Sequence, residues 1–167
     1  MSQIRSVILE NAVKICALNY EIELGWKEQP HERRHHAAAQ EFHASYDALA
    51  FPGGLNALRN GDPEAVEKAI RFLEADPLFF RSGYIKEKLI GRLKQSSLSA
   101  NQTNRIRIVV LRSLSSWRMP RAIARLAPKV TSESLISDLH AALESSNDRV
   151  RIRAKHMLQV LKSVGHD

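Results

Sequence analysis

Asn104-Arg105-Ile106-Arg107-Ile108 returns as Asp148-Arg149-Val150-Arg151-Ile152, 44 positions further along the chain. A repeat with a period of about 40–47 residues points to stacked helical pairs, because one pair cannot bury its apolar face alone. The echo also lies in the basic part of the chain. Residues 1–103 hold 13 Lys+Arg and 13 Asp+Glu, whereas residues 104–167 hold 12 and 5, so the whole formal charge of +7 arises in the second stretch.

Helical spacing runs through the rest of the sequence. Residues 3–24 read as a first helix with two apolar faces, one formed by Ile4, Ile8, Ile15, Leu18 and Ile22 and the other by Leu9, Val13, Cys16, Tyr20 and Leu24. A helix apolar on two sides must be covered twice, either by two layers of its own chain or by a second subunit. Homodimerisation through residues 3–24 is therefore an expectation. Residues 31–50 read as a second helix, with Ala38, Phe42, Tyr46 and Leu49 in a stripe. Phe51-Pro52-Gly53-Gly54 then breaks the pattern. The expected organisation is an N-terminal helical hairpin over residues 1–51 and a helical-repeat region over residues 52–167, as one continuous domain.

After the break the pairs begin. Leu55–Asn60 is a short helix. Asp62-Pro63 starts a longer one, with Asp as N-cap and Pro at the first helical position, and Asp76-Pro77 ends it. Tyr84–Leu93 follows, then a polar turn over Ser96–Ser99. Residues 103–115 are apolar almost all round, which predicts a central, buried helix. Arg121–Leu126 reads as a short helix stopped before Pro128. Ser132–Leu143 and Asp148–Leu161 form the last pair. No strand-like alternation is sustained, so the expected fold class is all-α.

Asp62, Asn104 and Asp148 are expected to open the second helix of each pair, at spacings of 42 and 44. The segment Asp148, Val150-Arg151 and Ala154 resembles the HEAT-repeat pattern. In that family an Asp caps the second helix, and a small residue sits where helices approach closely. Asn104, Ile106-Arg107 and Val110 match more loosely; Asp62 and Ala69 match in the cap and the small residue. The resemblance covers residues 55–163 and implies an irregular solenoid of antiparallel helix pairs, a plain helical bundle being the alternative. It also implies that Arg107 and Arg151 pair with the capping residue of a neighbouring unit. The bacterial alkylpurine DNA glycosylases built on HEAT-like repeats share it, yet no catalytic constellation of theirs maps onto this chain.

The outer arginines carry the functional expectation. Arg149 and Arg153 lie on one flank of the last helix, with Arg151, Lys155 and Lys162 on the other. Arg118, Arg121 and Arg125 are expected on a single face, with Lys129 just beyond, and Arg105 and Arg112 point the same way from the central helix. Nucleic-acid phosphate is the obvious partner for clustered guanidinium groups, although charge runs are usually just solvated faces. Trp117, beside Arg118, reads as a packing residue.

Histidines form a second cluster. His36, His43 and Asp47 share a face of the second helix, and the last two are four apart, as two ligands of one ion on a helix must be. No further ligand accompanies them, and a solvated polar face is the preferred reading. His35 lies on the apolar stripe. Catalytic signatures such as a phosphate-cradling glycine loop or His-Glu-x-x-His are absent. Cys16, the single cysteine, rules out an internal disulfide and is expected to be a buried, inert thiol. No signal peptide or membrane span is expected, and the expected location is the cytoplasm.

The sequence thus points to a non-enzymatic binding module for a protein partner. The alternatives are a nucleic-acid binder that uses Arg105, Arg112, Arg118, Arg121, Arg125, Lys129, Arg149 and Arg153, and a small metal-dependent enzyme on the His36/His43 face. No cofactor is expected.

Overall fold

The computed structural model describes residues 3–28, 40, 54–79 and 81–165. Every regular element among them is helical: α1 (Gln3–Glu28), α2 (Gly54–Arg59), α3 (Pro63–Ala75), α4 (Ser82–Leu93), α5 (Ala100–Arg112), a 3-10 helix (Arg121–Val130), α6 (Glu133–Leu143) and α7 (Asp148–Ser163). The all-α class stands. The expected second helix over residues 31–50, apart from residue 40, lies outside the described residues, as do residues 51–53 of the Phe51-Pro52-Gly53-Gly54 break, whose Gly54 opens α2. The chain divides into two compact units, Met1–Ile85 and Lys86–Asp167.

In the first unit α3 forms where the sequence says it should. Asp62 accepts a hydrogen bond from the Ala65 backbone N–H at 3.0 Å, and Pro63 takes the first helical position, where no N–H is needed. Asp76 ends the helix in the left-handed region at φ 47°, returning its N–H to the Phe72 carbonyl, and Pro77 prevents continuation. The helix buries Val66, Ala69, Ile70, Phe72 and Leu73. It packs against α1, which contributes Ile8, Ala12 and Ile15, and against α2, which contributes Leu58. Phe79 meets Phe72 edge to face, with centroids 6.1 Å apart.

α1 buries one of its two apolar faces. Ile8 and Ile15 are buried, but Val13 and Tyr20 on the other face are 69% and 61% exposed. Cys16 lies on that face too. It is exposed, with Sγ 3.6 Å from the Leu78 carbonyl oxygen, which corrects the expectation of a buried thiol. Of its neighbours at i±3 and i±4, Val13 and Tyr20 are exposed and Asn19 is half-buried, and only Ala12 is buried, so the stripe lies at the margin of the core.

The second unit packs the 3-10 helix against both α5 and α7, while α6 pairs with α7. α5 starts earlier than the echo suggests. Ser99 caps it through a reciprocal pair with Gln102, the Ser99 side chain accepting from the Gln102 N–H and the Gln102 side chain from the Ser99 N–H. Asn104 is therefore the fifth residue of α5, not its cap. Asp148 is the first residue of α7, whose cap is Asn147. α5 is also not buried all round. Ile106, Val109 and Val110 are buried, while Ile108 is 53% exposed.

The segment after Pro120 differs most from expectation. It runs through Pro128 to Val130 as a 3-10 helix, not as an α-helix that stops short. A proline lacks the N–H that an α-helical interior requires, but tighter turns lose only one bond to it. Burial of Ile123, Ala124, Leu126, Ala127 and Val130 holds the segment in place, at about 1.5–3 kcal/mol for each large side chain. Thr131 closes the end, its hydroxyl donating to the Ala127 and Pro128 carbonyls.

Candidate functional site

The echo arginines split into inner and outer sets, as their spacing suggests. Arg107 donates to Asn104 Oδ1 at 3.0 Å and to Ser134 Oγ at 2.7 Å, and lies 3.8 Å from Asp138 of α6. Arg151 donates to Asp148 Oδ1 and, at 2.6 Å, to the Ser145 carbonyl. Each inner arginine thus binds the Asn or Asp three residues before it. This corrects the expectation of a cap in a neighbouring unit, although Arg107 also reaches across to α6. Side-chain reach explains it, since i and i+3 face each other on a helix. Both residues are committed to the fold.

The outer set behaves differently. The face of α7 that carries Arg149, Ile152, Arg153 and His156 borders a cleft of about 500 Å³. Met119, Pro120, Arg121, Ile123 and Ala124 line the side opposite α7, and Ser113 and Met157 complete the lining. Burial of Ala154, Met157 and Leu161 holds α7 in the unit. Arg149, Ile152, Arg153 and His156 follow at i, i+3, i+4 and i+7, a single helical stripe.

Three guanidinium groups share this cleft. Arg153 is fixed: one of its terminal nitrogens donates to both the Ser113 and the Ser116 carbonyls. Burial, then the neighbouring charges of Arg149 and Arg121, hold its pKa below the ordinary arginine value. Arg121 and Arg149 are exposed. Among the described residues neither guanidinium has a hydrogen-bond or ion-pair partner. Among the described residues no acidic side chain lines the cleft. The remaining lining is largely apolar, and Ile152 keeps 68% of its surface exposed.

Of the eight basic residues expected at a site, the structure brings Arg121, Arg149 and Arg153 together at this cleft. Arg125 and Lys129 are exposed on the 3-10 helix but do not line it, and neither do Arg105 and Arg112 of α5. The expected common face for Arg118, Arg121 and Arg125 does not form a single wall, because the 3-10 helix begins only at Arg121 and Arg118 lies in the irregular segment before it. Arg118 instead places its guanidinium 5.6 Å from the Trp117 ring centroid. Trp117 is 65% exposed, which corrects its reading as a packing residue. The bend around Ser116–Met119 turns it outward while Met119 is buried.

Ile152, His156 and Met119 were not expected at a site. The i, i+3, i+4, i+7 stripe on α7 contains the signal for the first two. Met119 sits in irregular backbone, where no periodicity marks a face. His36, His43 and Asp47 lie outside the described residues. Among the described residues no group of three His, Cys, Asp or Glu side chains could hold a metal ion, and no helix is long and apolar enough to cross a membrane. Comparison with protein-family models, with curated proteins and with solved structures gives no match.

Proposed function

We propose that this chain is a non-enzymatic binding protein, and that residues 86–167 recognise an acidic segment of a protein partner at the Arg121–Arg149–Arg153 cleft. One observation carries the reading: three guanidinium groups share a cleft with no acid among its described lining residues and with Ile152 exposed beside them. Exposed charges of one sign repel one another, and a bound ligand of opposite sign relieves this beyond what water and salt already screen. Ile152 adds an exposed apolar surface against which a partner side chain can pack, as an anchor residue does at a protein interface. The HEAT-like pairing of helices belongs to the same reading, since such units present one face for recognition.

Nucleic acid is the second reading. Trp117, exposed beside Arg118, offers the kind of surface on which a base stacks. It stands two residues before Met119 of the cleft wall.

A pull-down with wild-type protein and the Arg121→Glu/Arg149→Glu variant, with and without nuclease, separates the two. A nuclease-resistant protein partner retained by the wild type and lost by the variant supports the first reading. A nuclease-sensitive partner lost by the variant supports the second. Identical retention by both proteins contradicts either.

A further inference from the structure

We infer that the acidic group accepted by the cleft is a phosphorylated side chain of the partner, whose stem lies against Ile152. This rests on the reading of the cleft as the partner-binding site. Arg121, Arg149 and Arg153 put three formal positive charges on one cleft of about 500 Å³, with no acid among the lining residues. A carboxylate supplies one negative charge. A phosphate monoester supplies about −1.5 to −2 at neutral pH and three acceptor oxygens. Its charge and its acceptors both match the site better. Arg153 is held by the Ser113 and Ser116 carbonyls, so its position is fixed before any ligand arrives. Arg121 and Arg149 are unpaired among the described residues and can each present a planar fork of donors to a tetrahedral anion.

The apolar lining narrows the choice further. Ile152 is 68% exposed beside the arginines, while Met119, Ile123 and Met157 are themselves buried. Inorganic phosphate would leave Ile152 bare, whereas a phosphorylated side chain with an apolar stem covers it. The volume falls in the range of about 300–1,000 Å³ usual for ligand clefts.

Calorimetric titration of the full chain with phenyl phosphate, inorganic phosphate and benzoate tests this. Phenyl phosphate is expected to bind at least about tenfold more tightly than either of the others, a gap of about 1.4 kcal/mol. Arg149→Gln should weaken it about tenfold or more while the circular dichroism melt stays in place, because Arg149 is exposed. Benzoate binding as tightly as phenyl phosphate overturns the dianion. Inorganic phosphate binding as tightly as phenyl phosphate overturns the apolar stem. Indifference to Arg149→Gln overturns the site. A glutamate-rich peptide serves as the control for the underlying reading. If it binds in an Arg149-dependent way and phenyl phosphate shows no preference, the phosphate inference falls and the protein-partner reading stands. If neither binds, both fall.

Discussion

Arg153 of α7 donates a hydrogen bond to the carbonyl of Ser113, the residue that caps the C-terminal end of α5 forty positions earlier. The last carbonyls of a helix have no partner within it and carry its negative pole, so a fixed guanidinium there both satisfies and neutralises them. The same side chain forms part of the cationic cleft. Fold and candidate site therefore meet in one residue, and its two neighbours can be separated from it by mutation.

Arg153→Met should destabilise the protein by about 2 kcal/mol, the usual scale for losing charge-assisted hydrogen bonds and leaving a buried carbonyl unpaired. Ser113 is 1% exposed, so water does not readily replace the guanidinium. Urea unfolding followed by circular dichroism measures the loss. A change below about 0.5 kcal/mol, the scale of ordinary surface substitutions, contradicts the capping role.

Arg121→Glu/Arg149→Glu is the complementary variant. Both side chains are exposed and lack partners among the described residues. Stability should stay within about 0.5 kcal/mol of wild type per substitution. Binding of an anionic partner should fall by more than tenfold.

Leu126→Ala tests whether burial holds the 3-10 helix. Leu126 is fully buried, and its replacement should cost about 2–5 kcal/mol. A cost below about 1 kcal/mol would place the packing of this segment elsewhere.

Asp62→Ala should cost about 1 kcal/mol through loss of the bond to the Ala65 N–H. Asp62→Asn should restore most of it, since the amide oxygen accepts equally well. An Asn variant as unstable as the Ala variant would show that charge, not capping, is what Asp62 supplies.

Local chemistry was legible in the sequence wherever one residue decides the outcome. Asp62-Pro63 and Asp76-Pro77 bound α3 as expected. The echo was legible as a side-chain contact, Arg107 with Asn104 and Arg151 with Asp148, but not as a common helix register. Ser99 and Gln102 start α5 four residues before Asn104, and a capping pair outweighs a distant sequence likeness. The 3-10 helix was hidden because Pro128 argues locally for a stop, while burial against α5 and α7 overrides it. The cleft was half legible. Arg149 and Arg153 share a stripe that any helical projection shows. That Arg121 faces them depends on tertiary packing of the irregular segment, which carries no period to read. Trp117 was misread for the same reason.

Fluorescence anisotropy of a labelled glutamate-rich peptide at low salt, against wild-type protein and the Arg121→Glu/Arg149→Glu variant, tests the proposed site most directly. A single-stranded oligonucleotide of equal charge runs beside it. The account predicts saturable binding of the peptide by the wild type, weakened at least tenfold in the variant. Peptide binding unchanged in the variant, or binding of the oligonucleotide alone, would contradict it.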